Sequence, residues 1–185
     1  MNAALEREIK LRFASVDEAR RAVVALGAPL VRNRRLQQDA LLDTVDGALA
    51  GCRSALRIRT EDGGCRLTFK GPPLASPMKL REELETEVAD ATILREVLAR
   101  LGFRVWFHYE KYREEFRLQD LIVAIDDTPI GAYVELEGHE DAIMRTAAAL
   151  GRGPADFIVA SYHRLYASEC AVRGTRADAM VFEAS

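Results

Sequence analysis

The sequence predicts an α+β fold in which β-strands form a sheet that closes around its charged face, with helices packed outside. Several segments alternate charged and apolar residues with period two, which is the pattern of a strand with two different faces. Capped helical segments interrupt these strands. The charges along the strands are of both signs, and they include repeated pairs of carboxylates.

The composition indicates one globular domain. The chain has 185 residues, of which 49% are hydrophobic and 30% are charged. The net charge is −3, from 26 basic and 29 acidic residues, so a broad nucleic-acid-binding surface is not expected. The N-terminus is charged too early for a signal peptide, and no stretch approaches the ~20 apolar residues that span a bilayer.

The cysteines favour a reducing compartment. Cys52, Cys65 and Cys170 form neither a CxxC pair nor a disulfide framework, so we interpret them as free thiols. Together with the lack of a membrane-spanning or signal segment, this predicts a soluble cytoplasmic protein that does not contact membranes.

Seven segments have the strand pattern. In the first of them, Ile9 and Leu11 alternate with Glu8 and Lys10. Turns rich in Gly, Asp and Pro at residues 61–64 and 126–131 suit hairpins between neighbouring strands. The predicted strands are residues 5–13, 55–60, 65–70, 79–88, 106–118, 121–128 and 133–137.

Four helices are predicted between or after these strands, at residues 15–26, 90–101, 140–150 and 161 to about 170. Ser15 and Asp90 are suitable N-terminal caps, and Gly27 and Gly102 suit the C-terminal ends. We place one domain at residues 1–173 and expect residues 174–185 to be a weakly ordered tail.

The charged face of the strands has two interpretations. It is the solvent face of an open sheet, or it lines the interior of a closed one, where burial is unfavourable unless the charges are paired or hold a ligand. The charged positions are dominated by Arg, Lys and Glu, whereas a solvent face tends to be more mixed. This composition favours the closed arrangement.

Carboxylates recur at positions i and i+2, which share one face of a strand and lie about 6.5–7 Å apart. A divalent cation between two such groups relieves their repulsion and gains hard oxygen ligands. The three pairs are Glu6/Glu8, Glu83/Glu85 and Glu135/Glu137.

Basic residues occupy the same faces. Arginine matches phosphate oxygens two at a time, and lysine adds a point charge, so this set suits a phosphorylated ligand. Carboxylates with a metal on one side and basic groups around the rest are what phosphoryl transfer requires. The basic residues are Arg57, Arg59, Lys70, Lys79, Arg81, Lys111 and Arg113.

In order along the chain, these residues resemble the CYTH superfamily, also called triphosphate tunnel metalloenzymes. Residues 6–10 resemble the N-terminal ExExK signature of that family. The remaining motifs follow between about residues 5 and 166. They are Arg57-x-Arg59, Thr68-Phe69-Lys70-Gly71-Pro72, Arg81-x-Glu83-x-Glu85, Lys111-x-Arg113, Asp126, Gly131-x-x-x-Glu135-x-Glu137-Gly138 and Ser161-Tyr162 with Leu165.

The resemblance implies a closed antiparallel eight-stranded β-barrel that forms a tunnel, with helices outside. It also implies Mg²⁺ or Mn²⁺ as cofactor and a small molecule with a triphosphate as substrate. Members include class IV adenylate cyclases, thiamine triphosphatases, inorganic triphosphatases and RNA triphosphatases.

Site residues follow from the resemblance position by position. The implied metal ligands are Glu6, Glu8, Glu135 and Glu137. The implied triphosphate-binding residues are Lys10, Arg57, Arg59, Lys70, Arg81, Lys111 and Arg113. Residues that would position a metal or a water are Glu83, Glu85 and Asp126. A late lysine of some relatives is missing here, and Arg164 is the candidate substitute.

Three functions remain open at this point. The leading hypothesis is metal-dependent hydrolysis of inorganic tripolyphosphate, thiamine triphosphate or a nucleoside triphosphate, in which Glu6, Glu8, Lys10, Glu83, Glu85 and Asp126 form the catalytic set. The first alternative is a class IV adenylate cyclase that converts ATP to cyclic AMP and pyrophosphate. The second is a non-catalytic module that binds polyphosphate or nucleotides. A homodimer would suit any of the three.

Overall fold

The computed structural model describes residues 4–183, which form a barrel of strands with helices around it. The strands are β1 Ala4–Phe13, β2 Leu30–Thr44, β3 Ala55–Glu61, β4 Gly64–Lys70, β5 Lys79–Val88, β6 Phe103–Leu118, β7 Leu121–Thr128, β8 Gly131–Glu137 and β9 Ala179–Met180. The helices are α1 Val16–Ala25, α2 Ala48–Gly51, α3 Ala91–Arg100, α4 Glu140–Ala149 and α5 Tyr162–Arg173.

Strands β1 to β8 form a closed antiparallel barrel. Their order is β2-β3-β4-β5-β1-β8-β7-β6, and β6 pairs with β2 to close the sheet. The long β2–β6 pairing contains register irregularities, which bend the strands as closure requires. The α+β fold with a closed eight-stranded barrel and external helices is therefore confirmed.

Two apolar layers outside the barrel hold the helices against it. Helices α1 and α4 pack on β1, β7 and β8 around Ile9, Val23, Val134 and Ile143, all fully buried. Helix α3 packs through Leu98 on the other side, where it covers the outer faces of β2, β3 and β6. Because the helices bury the apolar face of the sheet, the charged face lies inside the barrel.

The strand β2 was not predicted. Its inward side chains include Gln37 and Asp39, which are buried, whereas Gln38 on its outer face is exposed. Polar residues on both faces remove the period-two contrast on which strand prediction depends. This strand closes the barrel, so its omission also hid the residues that it contributes to the interior.

The C-terminal segment packs against the barrel in three places. Ile158 exchanges two backbone hydrogen bonds with Lys10 of β1, each 2.9 Å long. Helix α5 follows, and β9 pairs in parallel with β6 at His108 and Tyr109. The side chain of Met180 is fully buried, so this part of the predicted tail has a defined place on the barrel.

Two further features bear on the predicted setting of the protein. None of the helices within residues 4–183 has the length and apolar character to cross a membrane. Cys52, Cys65 and Cys170 are all unpaired within the same residues.

Candidate active site

The residues predicted as metal ligands, phosphate binders and catalytic groups all lie on barrel strands, at positions whose side chains face the interior. Arg164, the candidate substitute for a late lysine, lies instead on helix α5 and is exposed. An open groove of about 590 Å³ lies outside the barrel, where α3 meets Leu42 and Phe103, and none of the predicted site residues lines this groove. The predicted residues are Glu6, Glu8 and Lys10 on β1, Arg57 and Arg59 on β3, Lys70 on β4, Arg81, Glu83 and Glu85 on β5, Lys111 and Arg113 on β6, Asp126 on β7, and Glu135 and Glu137 on β8.

One half of the interior is rich in carboxylates and is formed by the adjacent strands β5, β1 and β8. Lys70 of the neighbouring β4 donates through Nζ to Glu6 at 2.5 Å and to Glu83 at 2.7 Å, so one ammonium group bridges two carboxylates. The carboxylate side, as we name this half, comprises Glu6, Glu8, Glu83 and Glu137 with the ammonium groups of Lys70 and Lys79.

Glu8 lies at the centre of the carboxylate side. It accepts from Lys79 Nζ at 2.5 Å and from Lys10 Nζ at 2.9 Å, and its side chain is almost completely buried. Burial opposes ionisation of Glu8, but Lys10, Lys79 and Lys70 outweigh it and hold the pKa well below its usual value. Glu8 is therefore a charged carboxylate in the interior.

Nearby positive charge neutralises Glu6 and Glu137 less completely than it neutralises Glu8. Burial and the neighbouring charge of Glu8 raise the pKa of Glu6 to about 8. Burial, Glu8 and Glu135 raise the pKa of Glu137. Both carboxylates thus lack enough positive charge nearby, which is the condition that a bound cation relieves.

The donors of the carboxylate side fit a hard divalent cation. Glu8 and Glu137 are directly opposite each other on paired strands, which brings two carboxylates to one place. Within residues 4–183 no three Asp, Glu, His or Cys side chains converge on a common point. Lysine ammonium groups form ion pairs with Glu6, Glu8 and Glu83, so a metal bound to these three carboxylates would have to displace them.

The other half of the interior is rich in basic groups and is formed by the adjacent strands β3, β2, β6 and β7. Asp39 accepts from Arg59 Nε at 2.9 Å and Nη2 at 3.0 Å, and Arg57 Nε is 3.5 Å away. The basic side, as we name this half, comprises Arg57, Arg59, Lys111 and Arg113 with Asp39 and Asp126.

Asp126 holds the second basic pair in the same way. It accepts from Arg113 Nε and Nη2 at 2.6 Å each and from Lys111 Nζ at 2.8 Å. Its side chain is fully buried, and burial raises its pKa less than Arg113 and Lys111 lower it. Asp126 was predicted, with Glu83 and Glu85, to position a metal or a water. Its hydrogen bonds to Lys111 and Arg113 suit a residue that orients basic groups.

Positive charge is in excess on the basic side. Burial and the charge of Arg113 lower the pKa of Lys111 to about 8, even though Asp126 opposes the shift. Arg57 Nε is buried and has no acceptor in hydrogen-bonding geometry within the described residues. An anion in the interior would relieve both conditions.

Three predicted residues have distinct places. Glu135 joins the two sides, because it pairs with Arg113 and lies 3.2 Å from Lys10 Nζ. Glu85 lies toward an edge of the interior, where its side chain is 34% exposed and pairs with Arg66. Arg81 is half-buried, and its Nε has no acceptor within the described residues.

The sequence and the fold match a known family. The family model described as the CYTH domain matches residues 4–151. The chain belongs to the CYTH domain family. This CYTH domain is 31% identical to the Methanocaldococcus jannaschii protein named "Putative adenylate cyclase MJ0240", over 134 residues that cover 72% of this chain and 76% of that protein.

Solved structures agree with this membership. The PH1819 protein of Pyrococcus horikoshii has a TM-score of 0.76 and 25% identity, over 89% of this chain and 99% of that one. A Hippeastrum protein described as a "Putative adenylyl cyclase" with a dominant triphosphatase activity has a TM-score of 0.67 and 26% identity, over 89% and 96% of the two chains.

Two residues of this CYTH domain that bond to the charged groups of the basic side were not predicted from the sequence. Asp39 lies on the unpredicted β2, so no strand pattern pointed to it. Tyr162 belongs to a motif that was recognised, but no role was assigned to it; its hydroxyl donates to Asp126 at 2.7 Å. The signal for Tyr162 was its large aromatic side chain directly after a helix cap, Ser161.

Proposed function

We propose that this CYTH domain hydrolyses a triphosphate in a reaction that depends on Mg²⁺ or Mn²⁺. One observation supports the proposal above the others: a single buried interior contains carboxylates that their lysine partners neutralise only in part, together with basic groups that their aspartate partners neutralise only in part. A metal–triphosphate complex supplies both missing charges at once, with the metal next to the carboxylate side and phosphate oxygens next to the basic side.

The proposed roles follow this division. A bound divalent ion would supply positive charge that neutralises the phosphate oxygens. Metal ligands are Glu6, Glu8, Glu135 and Glu137. Residues that bind phosphate oxygens are Lys10, Arg57, Arg59, Lys70, Arg81, Lys111 and Arg113. Residues that orient a water or the metal are Glu83 and Glu85, and Asp126 orients Lys111 and Arg113.

Hydrolysis requires a water oxygen to attack the terminal phosphorus. The bond from that phosphorus to the bridging oxygen breaks, and orthophosphate and the shortened phosphate chain leave. Negative charge increases on the bridging oxygen as it departs, and the guanidinium groups of Arg57, Arg59 and Arg113 are the groups suited to stabilise it. Their burial strengthens this effect, since water screens charges less in the interior.

Cyclisation of ATP is the second candidate, and the name of the 31% identical relative favours it. In that reaction the ribose 3′-hydroxyl attacks the α-phosphorus and pyrophosphate leaves. The charged residues would have nearly the same tasks, because both reactions move negative charge onto a phosphate leaving group.

A substrate panel tests the proposal. The full chain, freed of metal with EDTA, is given tripolyphosphate, thiamine triphosphate or ATP, with Mg²⁺, Mn²⁺ or neither. We expect metal-dependent release of orthophosphate from at least one of them. Cyclic AMP and pyrophosphate from ATP would identify a cyclase instead, and tight binding without any product would identify a binding module.

The setting of the reaction is also a proposal. Three unpaired cysteines suit a reducing compartment, so we propose that the chain acts in the cytoplasm. The homodimer stays a prediction.

A further inference from the structure

Tyr162 is the first residue of α5 and lies beyond the residues that the family model matches. Its side chain nevertheless reaches the barrel interior, where it is 5% exposed. The hydroxyl donates to Asp126 Oδ2 at 2.7 Å, the same oxygen that accepts from Lys111 Nζ at 2.8 Å. A residue from outside the barrel therefore contacts the carboxylate that holds the basic side together.

The ring of Tyr162 contacts the same network a second time. Lys10 Nζ lies 5.1 Å from the ring centre and Lys111 Nζ lies 5.0 Å from it. These distances are within the range of cation–π attraction, which is strongest where water is excluded. Lys10 belongs to β1 and Lys111 to β6, so one ring contacts ammonium groups from separate parts of the barrel wall.

The position of Tyr162 is fixed by its surroundings. Its ring meets Tyr133 edge to face, with centres 5.5 Å apart. Ser161 caps α5 by accepting from the backbone N–H of Arg164, and Ile158 is bonded to the backbone of Lys10. The chain just before Tyr162 is thus attached to the same strand whose lysine the ring contacts.

The hydroxyl acts as a donor. Burial, Asp126 and Glu135 raise the pKa of Tyr162 well above its usual value, so the proton stays on the oxygen. A neutral donor to Asp126 fixes the direction of the carboxylate without adding another positive charge to the basic side. A lysine or arginine at this position would add to a charge that is already in excess.

We propose that Tyr162 is a positioning residue for triphosphate binding: it fixes Asp126, and through Asp126 the charged groups of Lys111 and Arg113. The proposal rests on the proposed function, because it assigns these groups to the triphosphate. It also gives α5 a part in the site that the barrel strands alone do not provide.

Tyr162→Phe tests this, because it removes the hydroxyl and keeps the ring that contacts the two lysines. We expect the Kd of tripolyphosphate, measured by calorimetry without metal, to weaken by about 10- to 100-fold, the usual loss when a partner that orients a ligand-binding group is removed. Tyr166→Phe is the matched control. It removes a hydroxyl from the same helix, where the ring packs on Phe107 away from Asp126. This control should leave the Kd unchanged.

A double-mutant cycle separates positioning from a merely structural role. In an Asp126→Asn background, Tyr162→Phe should weaken binding by less than about threefold, because the residue through which it acts has already been changed. If Tyr162→Phe weakened binding as much in the Asp126→Asn background as in the wild type, the proposal would be overturned. An unchanged Kd in Tyr162→Phe, even with a lower Tm, would overturn it too, since that would mean that the hydroxyl only stabilises the fold.

The same measurements show whether the role of Tyr162 or the proposed hydrolysis is wrong. If the wild-type chain binds tripolyphosphate without hydrolysing it, the proposed hydrolysis is wrong and the role of Tyr162 is still decided by the Kd values. If the wild-type chain neither binds nor hydrolyses tripolyphosphate, thiamine triphosphate or ATP, both proposals are overturned.

Discussion

The two sides of the barrel interior contain the same kinds of groups but differ in which charge is in excess. On the carboxylate side, burial and neighbouring carboxylates raise the pKa of Glu6 to about 8. On the basic side, burial and the charge of Arg113 lower the pKa of Lys111 to about 8. The two signs of charge are therefore separated within the interior, and the proposed metal–triphosphate complex would bring the opposite charge to each side.

The role of the buried aspartates follows from this comparison. Asp39 and Asp126 each hold two basic groups, so each neutralises only part of the charge around it. Burying a charged group without a partner is unfavourable, which is why removing one member of a buried ion pair destabilises a protein. The aspartates therefore make it possible to hold several cations in one place before any anion arrives.

The largest predicted effect is that of Asp39→Asn, which leaves Arg59 and Arg57 without their carboxylate. We expect the free energy of unfolding to fall by about 3–5 kcal/mol, the usual result of removing one partner of a buried ion pair. Tripolyphosphate should stabilise this variant more than it stabilises the wild type, because it neutralises the two arginines. Urea unfolding with and without tripolyphosphate measures both effects.

Asp43→Asn is the control for that experiment. Asp43 lies on the same strand and is also buried, but it accepts from the backbone N–H groups of Leu49 and Ala50. Its substitution should lower stability by about 1–2 kcal/mol, as loss of a helix cap does. Its response to tripolyphosphate should equal that of the wild type, and a similar response from both variants would contradict the role of Asp39.

A second prediction concerns the carboxylate side and Glu6→Gln. The pKa of Glu6 is raised from its ordinary value of 4.5 to about 8, so the metal-free protein favours the neutral form, and Glu6 makes stability fall as the pH rises from about 4.5 to about 8. Gln resembles that neutral form, so the variant should be at least as stable as the wild type in EDTA at pH 9. Metal-dependent turnover should fall by about 100-fold or more, since a metal ligand is lost.

Thermal unfolding in EDTA and turnover over a range of Mg²⁺ concentrations measure these two expectations. Glu87→Gln is the control, because Glu87 lies on β5 with a side chain that is 88% exposed. It should change neither measurement. Full turnover by Glu6→Gln at the Mg²⁺ concentration that suits the wild type would remove Glu6 from the metal site.

The sequence was sufficient for those parts of the site that depend on one strand at a time. Side chains at i and i+2 share a face, so Glu6 and Glu8, or Lys111 and Arg113, were predictable as neighbours. Which strands lie side by side depends on pairing between distant segments. The bridge that Lys70 forms between Glu6 and Glu83 therefore required the structure.

The two missed residues have different physical causes. Asp39 was hidden because β2 is polar on both faces and gives no periodic contrast. Tyr162 belongs to the Ser161-Tyr162 motif at a helix start, but the partner of its hydroxyl lies 36 residues earlier in the chain, on β7. Local patterns predict that such a residue is buried, and only the fold shows which charged group it meets.

The smallest predicted effect concerns the pH dependence of binding on the basic side. Lys111 has a pKa of about 8 in the free protein, and a bound triphosphate would raise it by adding negative charge. Below pH 8 the lysine is already protonated, so binding takes up no proton. Above pH 8 the free protein has lost that proton and must regain it to bind. The affinity for tripolyphosphate should then fall by up to about tenfold per pH unit.

Lys111→Arg separates this effect from the titration of tripolyphosphate itself. A guanidinium stays protonated throughout this range, so the variant should lack the part of the decline that Lys111 causes. Calorimetry of wild type and variant between pH 7 and pH 10, without metal, gives the difference between the two curves. Parallel curves would mean that Lys111 does not gain a proton on binding, and that the excess positive charge on the basic side is not what the triphosphate neutralises there.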